Sequence, residues 1–422
     1  MLNRLIWLIA SLLIIVSGIY FTFKLKFIQF KFKKMFQSLK TQNKNINTIK
    51  PFQSLMMVLA GRIGVGSIAG IAISIYYGGI GSIFWMWISS ILGGALTFME
   101  TVLGMIFQKK DTKSICKGGP SYYIKYGLNK KILGSIYAII IIISDVLGFI
   151  SIQTNTIAHS INQFFNIESY IIGIILCILV LIVIFGGIRR IASISSKLVP
   201  FMTILYLFIC IIIIVKNINV IPSIFMSIVK SAFNFKAVNG SIMASFIIGI
   251  QRGIFSSEAG IGTGAISAST TEAENVKEKL SQGYIQIIGI YITTFLICTS
   301  TALILLSSNI MDTNYDNLNG IELVQIALTQ HLGIFGSYFI FIIIFLFAFV
   351  TILSSYYNAE SSLKYFIDKP NKSLNILKFF TLISIFIGSV SSANIIWELV
   401  DIFVGLLAII NIYSIIKIKN GI

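Results

Sequence analysis

The chain has 422 residues, 56% hydrophobic and only 11% charged, with a mean hydropathy of +0.91. A water-soluble domain carries about 25% charged residues; too few polar side chains remain here to coat a solvated surface, which argues against a soluble enzyme, a nucleic-acid binder or a disordered protein. Thirty-two Lys and Arg against 15 Asp and Glu give a net charge of +17, which signals either a polyanionic partner or basic loops held at one membrane face.

The first apolar run, 5–23, has no small-residue cleavage site and leads straight into a basic stretch, so it is expected to be a retained helix and not a signal peptide. The stretch 24–50 carries Lys24, Lys26, Lys31, Lys33, Lys34, Lys40, Lys44 and Lys50 interleaved with Phe27, Phe30, Phe32 and Phe36. It suits a helix lying on the cytoplasmic membrane surface among anionic headgroups; anchoring by positive charge alone is the plainer alternative. Further runs long enough to cross a bilayer occupy 54–76, 81–107, 132–163, 170–187 and 198–215, then 238–271, 281–308, 333–359, 374–393 and 396–416, eleven in all with the first.

With the N-terminus outside, segments 24–53, 108–131, 189–197, 272–279, 358–378 and 417–419 are cytoplasmic and hold 26 of the 32 basic residues. The outer segments hold Arg4, Lys216, Lys230 and Lys236, and the loop 309–330 has Asp312, Asp316 and Glu322 but no Lys or Arg. Position thus turns the charge into an orientation signal and removes nucleic acid as a partner. The expected architecture is an all-α, multi-pass integral membrane protein in contact with lipid, with its C-terminus in the cytoplasm.

Two runs are broken by glycines: Gly61-Arg62-Ile63-Gly64-Val65-Gly66-Ser67-Ile68-Ala69-Gly70, and Gly249 to Gly264, which includes Gly253, Gly260 and Gly262. They occupy matching places in two sets of five spans, giving an extra segment 1–53, a first repeat 54–236 and a second repeat 237–422. An odd number of spans per repeat makes the second inverted. An unwound stretch at mid-membrane cannot satisfy its backbone in lipid, and paired interruptions of this kind point to a secondary-transporter site. Free N–H groups at a half-helix terminus can hold a carboxylate, and free carbonyls a sodium ion.

Ionisable groups at membrane depth are functional candidates. Arg252 and Glu258 flank the second break and could pair if the helix unwinds; Arg62 precedes the first break and is expected to snorkel, with a cytoplasmic gate ion pair as the alternative. Asp145 is expected to be a paired structural carboxylate, with an ion-linked role as the alternative, and Glu100, Glu398 and Asp401 are placed near the interfaces. Cys116, Cys177, Cys210 and Cys298 have no metal or disulfide spacing, His159 and His331 stand apart, and no nucleophile–base set is present. Gly118-Gly119-Pro120 lacks the rest of a phosphate loop and reads as a loop turn. An enzyme, an organic cofactor and an ATP-driven pump are therefore not expected; an open channel competes, but two asymmetric breaks favour occlusion of a ligand.

At these residues the sequence resembles the alanine/glycine:cation symporter family, the sodium:alanine symporters. The similarity runs through Gly61–Gly70, Gly78–Trp87, Gly118–Ile124, Phe185–Ile191, Arg252–Gly260, Phe347–Leu353, and Trp397 with Asp401. It implies eleven spans, ten of them in a leucine-transporter-like inverted-repeat core, and uptake of alanine or glycine coupled to sodium or at times to protons. It also implies a monomer with no cofactor beyond the coupling ion. By resemblance the substrate meets Gly64, Val65, Gly66, Ser67, Gln153, Phe255, Ser256 and Trp397. Sodium meets carbonyls around Ile63 and Gly64, with Thr351 and Ser354 or Ser355. Ser67 and Ser257 stand where the family commonly has Asn, Thr293 where it has Asp, Val350 where it has Thr, and Ile80 and Ile410 where it has Pro. These departures leave open another small amino acid or proton coupling.

Overall fold

Almost every apolar run is helical, because in hydrocarbon a chain must satisfy its N–H and C=O groups internally. The computed structural model describes residues 2–40, 49–110, 116–233, 242–308, 310, 320–367 and 371–418. In chain order the helices are α1 (Leu2–Lys24), α2 (Phe32–Leu39), α3 (Pro51–Arg62), α4 (Ala69–Gly78), α5 (Ser82–Ile106), α6 (Pro120–Gly127), α7 (Lys131–Ile143), α8 (Ile150–Phe165), α9 (Ser169–Ile184) and α10 (Gly187–Lys216). The second half adds α11 (Ile221–Ala232), α12 (Ile242–Ser257), α13 (Thr263–Ala268), α14 (Val276–Ile290), α15 (Thr299–Leu306), α16 (Gly320–Leu332), α17 (Ile334–Leu363), α18 (Asn371–Val390) and α19 (Ala393–Lys417). A π-helical stretch, Ser144–Phe149, joins α7 to α8, and another, Tyr291–Cys298, joins α14 to α15.

Eight helical stretches among the described residues are long and apolar enough to cross a membrane. The other three predicted runs are the interrupted pairs α3/α4 and α12/α13 and the 16-residue α9. Apolar side chains recur at helical spacing on the outer surface, as with Ile174, Ile178 and Ile182 on α9 and Ile204, Phe208 and Ile211 on α10, each close to half exposed or more. A water-facing protein does not carry such stripes; a bilayer covers them.

Several connecting segments are more helical than expected. The segment 189–197 is the start of α10, Val276 already begins α14, and α16 occupies the second half of the expected loop 309–330. Asp312, Asp316, Lys44, Lys236 and the 236/237 repeat boundary lie outside the described residues. Gly118-Gly119 makes the expected turn, with Gly119 at φ 104°, but Pro120 opens α6, as Pro's fixed φ and missing N–H suit a first helical position. α2 packs Met35 and Ser38 against α14 and sets the Phe32 ring 5.8 Å from Tyr291, while Phe30, Phe32 and Phe36 remain exposed.

Packing places the interrupted helices centrally. α5 lies against α12 and α14, α17 lies against α8, α10 and α3, and α18 covers α8 and α9. α1 stands outside this set, against α19 and α5.

Candidate functional site

The first break begins after Arg62. Ile63 N–H still donates to Leu59 C=O at 2.7 Å; Gly64 is then extended, and Val65–Ser67 form one 3₁₀ turn before α4 resumes. Glycine is dictated here by close approach: a Cβ on Gly64 would lie 2.7 Å from Thr351 Oγ1, and one on Gly66 would lie 2.5 Å from the Phe255 ring. The Val65 amide, freed from the helix, donates to Gln153 Oε1 at 3.0 Å. Ser67 Oγ turns back to Gly64 C=O at 2.8 Å, and Ser67 C=O accepts from Thr301 Oγ1 at 3.1 Å. The short Ser67 side chain is thus spent on its own loop.

The second break is tighter. Glu258 (φ 52°), Gly260 (φ 82°) and Gly262 (φ 99°) all adopt left-handed conformations within five residues, a region in which side chains beyond glycine are strained. Its carbonyls are met from outside the segment: Tyr137 OH donates to Ile261 C=O at 2.6 Å, and Asn411 Nδ2 to Gly260 C=O at 2.8 Å. Thr263 Oγ1 donates to Glu258 Oε2 at 2.9 Å. Ser256 Oγ is bound to Gly253 C=O within its own helix, and Ser257 Oγ accepts from Ala259 N–H.

α17 brings hydroxyls to the end of α3. Thr351 Oγ1 donates to Ala60 C=O at 2.7 Å as well as to Phe347 C=O in its own helix, and Ser354 Oγ donates to Met57 C=O at 3.0 Å. Thr351 thus lies beside Gly64, as the family resemblance implies, but its bond to α3 reaches the Ala60 carbonyl, one turn before Ile63 and Gly64. Ser355, on the same face, neighbours the Asp145 carboxylate of the π-helical stretch. This cluster is all hard oxygen, the donor set that suits an alkali or alkaline-earth cation. On the far side of the first break, Phe149 stacks on Phe255 at 5.1 Å between centroids, and Phe255 meets the half-buried Trp397 at 5.1 Å. Gln153 and Phe255 therefore touch the first break and Trp397 packs behind Phe255, whereas Ser256 bonds back into α12.

The charges are arranged differently from the expectation. Arg252 pairs with Asp401 and not with Glu258: Nη1–Oδ1 is 3.2 Å and Nη2–Oδ2 is 2.9 Å, both residues are buried, and the guanidinium lies 4.8 Å from the Trp397 ring. Trp7 of α1 donates to the Asp401 carbonyl at 3.0 Å. Asp401 is therefore buried inside the bundle, paired to α12. Arg62 does not snorkel. It is 1% exposed, donates through Nη1 to Gln286 C=O at 2.9 Å, and faces the carboxylates of Glu258 and Glu100.

Glu100, expected near an interface, is fully buried and accepts from Asn411 Nδ2 at 3.0 Å and Thr97 Oγ1 at 3.3 Å; Tyr123 OH donates to Asn411 Oδ1. Asp145 has no cationic partner among the described residues and leaves Oδ2 without a hydrogen bond, so the paired-carboxylate expectation fails. Glu398 is exposed. His159 Nε2 approaches Glu322 Oε1 at 3.5 Å. Sequence reasoning missed Tyr137, Asn411, Thr301 and Tyr206, whose hydroxyl lies 2.7 Å from Thr301 Oγ1. The available signal was a polar residue in the midst of an apolar run.

The family model described as the sodium:alanine symporter family matches residues 1–422. The chain belongs to the sodium:alanine symporter family. It is 38% identical to the "Probable sodium/glutamine symporter GlnT" of Bacillus subtilis (strain 168), over 99% of this chain and 87% of that one. It is 36% identical to the "Sodium/proton-dependent alanine carrier protein" of Bacillus sp. (strain PS3), over 87% of this chain and 85% of that one. Among solved structures, a Na+-coupled sialic acid symporter in a substrate-bound outward-open state matches with a TM-score of 0.57 at 13% identity, covering 97% of this chain and 82% of that one. A manganese transporter from Eremococcus coleocola matches with a TM-score of 0.56, also at 13% identity, covering 88% and 79%. At such identity these two likenesses speak for the fold alone. The family is one of sodium-coupled amino-acid symporters, and its members are transporters of the multi-pass membrane type.

Proposed function

We propose that the chain carries a small neutral amino acid, alanine or glycine, into the cell together with sodium, by alternating access across the cytoplasmic membrane. The observation that carries this reading is the pair of interrupted helices, one clasped by Gln153 at Val65 N–H and by Thr351 beside Gly64, the other held by Tyr137 and Asn411. In this reading the protein is a monomer of eleven spans. Segment 1–53 supplies the extra helix, 54–236 and 237–422 form two inverted five-span repeats, and the N-terminus is outside and the C-terminus cytoplasmic.

The substrate's carboxylate meets N–H groups of the Gly64–Ser67 turn, and its ammonium group meets carbonyl oxygens or Gln153. Phe255 and Trp397 limit the side chain. Sodium is held by oxygens at the end of α3, with Thr351 and Ser354 or Ser355. Ion binding orders the first break and completes the pocket, so substrate and ion move together when the repeats rock. Arg62, Arg252 and Glu258 hold the half-helices in register.

Uptake of labelled alanine or glycine into proteoliposomes tests this. Uptake is expected to depend on sodium; equal uptake with choline or potassium in its place, at constant pH, would refute sodium coupling. A second reading, a longer neutral substrate such as glutamine, is favoured by the name of the 38% identical relative and by the small Ser67 and Ser257. Competition by unlabelled glutamine stronger than that by alanine would select it. Removing the Thr351 hydroxyl takes an oxygen from the proposed ion site, so Thr351→Ala is expected to raise the sodium concentration for half-maximal uptake by about tenfold, a loss equivalent to one hydrogen bond to a charged group. An unchanged sodium dependence would remove Thr351 from the ion site.

A further inference from the structure

A groove of about 840 Å³ opens between α1, α7 and α19. One end is basic: Lys130 and Lys131 precede and begin α7, and Lys130 Nζ lies 3.2 Å from the Tyr413 hydroxyl. Asn129 lies at the same end; the rest of the lining is apolar, with Leu13, Ile132, Ile136 and Ile409 along the walls, and no acidic side chain lines it among the described residues. We propose that this groove is a binding site for an anionic phospholipid, with its phosphate at Lys130 and Lys131 and an acyl chain along the apolar walls.

Depth supports the assignment. Ile136 lies five residues into α7, and Ile409 lies eight residues before the end of α19. At 1.5 Å per residue the groove therefore runs about 8 Å along α7 from Lys131 and lies about 12 Å from the end of α19, within half of the roughly 30 Å hydrocarbon layer. That is the depth one leaflet's acyl chain occupies. Leu13 falls midway along α1, at the same level. A basic pocket between helices at the membrane edge is the chemistry that recognises anionic headgroups, and a protein partner would have to displace lipid from an apolar channel open toward the bilayer. The inference rests on the membrane reading of these helices, but not on which amino acid is carried.

Native mass spectrometry of the full chain purified in detergent, with phosphatidylglycerol or phosphatidylcholine added, tests it without transport. Preferential retention of phosphatidylglycerol is expected. Each lysine near an anionic group is worth about fivefold in affinity, so Lys130→Gln with Lys131→Gln is expected to weaken phosphatidylglycerol binding about 25-fold and to leave phosphatidylcholine unchanged. Ile136→Trp, which fills the channel, is expected to weaken both. Equal retention of the two lipids by the wild type, phosphatidylglycerol binding indifferent to both variants, or a doubled protein mass in place of lipid adducts would overturn the proposal. Each of these outcomes leaves the sodium-dependent uptake test untouched.

Discussion

Replacing Arg252 or Asp401 with alanine is expected to destabilise the protein by about 3–5 kcal/mol, because each change leaves one buried charge without its partner. The pair is bidentate, with both side chains buried. Beyond Asp401, the faces of Trp397 and Phe255 lie beside the Arg252 guanidinium among the described residues. Asp401 accepts both hydrogen bonds of the pair from Arg252 on α12, with Gln251 of the same helix beside it. Either single variant should therefore unfold at markedly lower temperature in detergent. The double change Arg252→Met with Asp401→Leu removes both charges while keeping apolar volume, and it is expected to recover most of the loss. If the singles unfold like the wild type, the pair does not hold α12 to α19. If the double variant falls as far as the sum of the singles, packing and not charge is what the site requires.

Gln153→Ala has the second large expected effect, and on a different quantity. Gln153 Oε1 accepts the amide of Val65 in a turn whose backbone has no helical partner there. Truncation leaves that buried N–H unsatisfied, which costs about 1–3 kcal/mol and frees the turn that the substrate carboxylate is proposed to meet. Substrate affinity is expected to fall by about tenfold to a hundredfold, while insertion and the size-exclusion profile stay normal. Titration of alanine or glycine against the purified protein by thermal shift measures it, since a ligand that binds the folded state alone raises its stability. Wild-type affinity in this variant would remove Gln153 from the site.

What the sequence disclosed and what it hid divide along a physical line. Apolar run length and the positions of glycine are local quantities. The spans and both interruptions were accordingly legible from segments such as Gly61–Gly70, and the need for glycine at Gly64 and Gly66 is explained by what packs there, Thr351 and Phe255. Partners distant in sequence were not legible. Arg62 read as a snorkelling residue from its place one turn before the first break, near the cytoplasmic end; its neighbours Glu258, Glu100 and Gln286 arrive from the second break, α5 and α14. Arg252 read as a partner of Glu258 only by way of an unwound stretch, since six residues is a poor pairing distance on a helix; its actual partner, Asp401, is 149 residues away. The start of α10 read as a loop because Arg189 and Arg190 interrupt the apolar pattern, yet their side chains are exposed and the backbone remains helical. The family resemblance supplied the expected site residues; the hydrogen-bond partners came only with the packed structure.

The π-helical stretch Ser144–Phe149 sets an angular phase. On one side of it Tyr137 reaches Ile261 in the second break, and on the other Gln153 reaches Val65 in the first. An α-helix turns about 100° per residue, so the single extra residue that a π turn accommodates rotates everything beyond it by that amount. Deleting one residue there would straighten the rod into ordinary α-helix and swing Gln153 about a quarter-turn away from Val65 while Tyr137 stayed in place. The rod would then serve one break or the other, never both. The two interruptions are thus indexed to each other like teeth on one shaft, and the spacing between Tyr137 and Gln153 tolerates substitution far better than it tolerates a change of length.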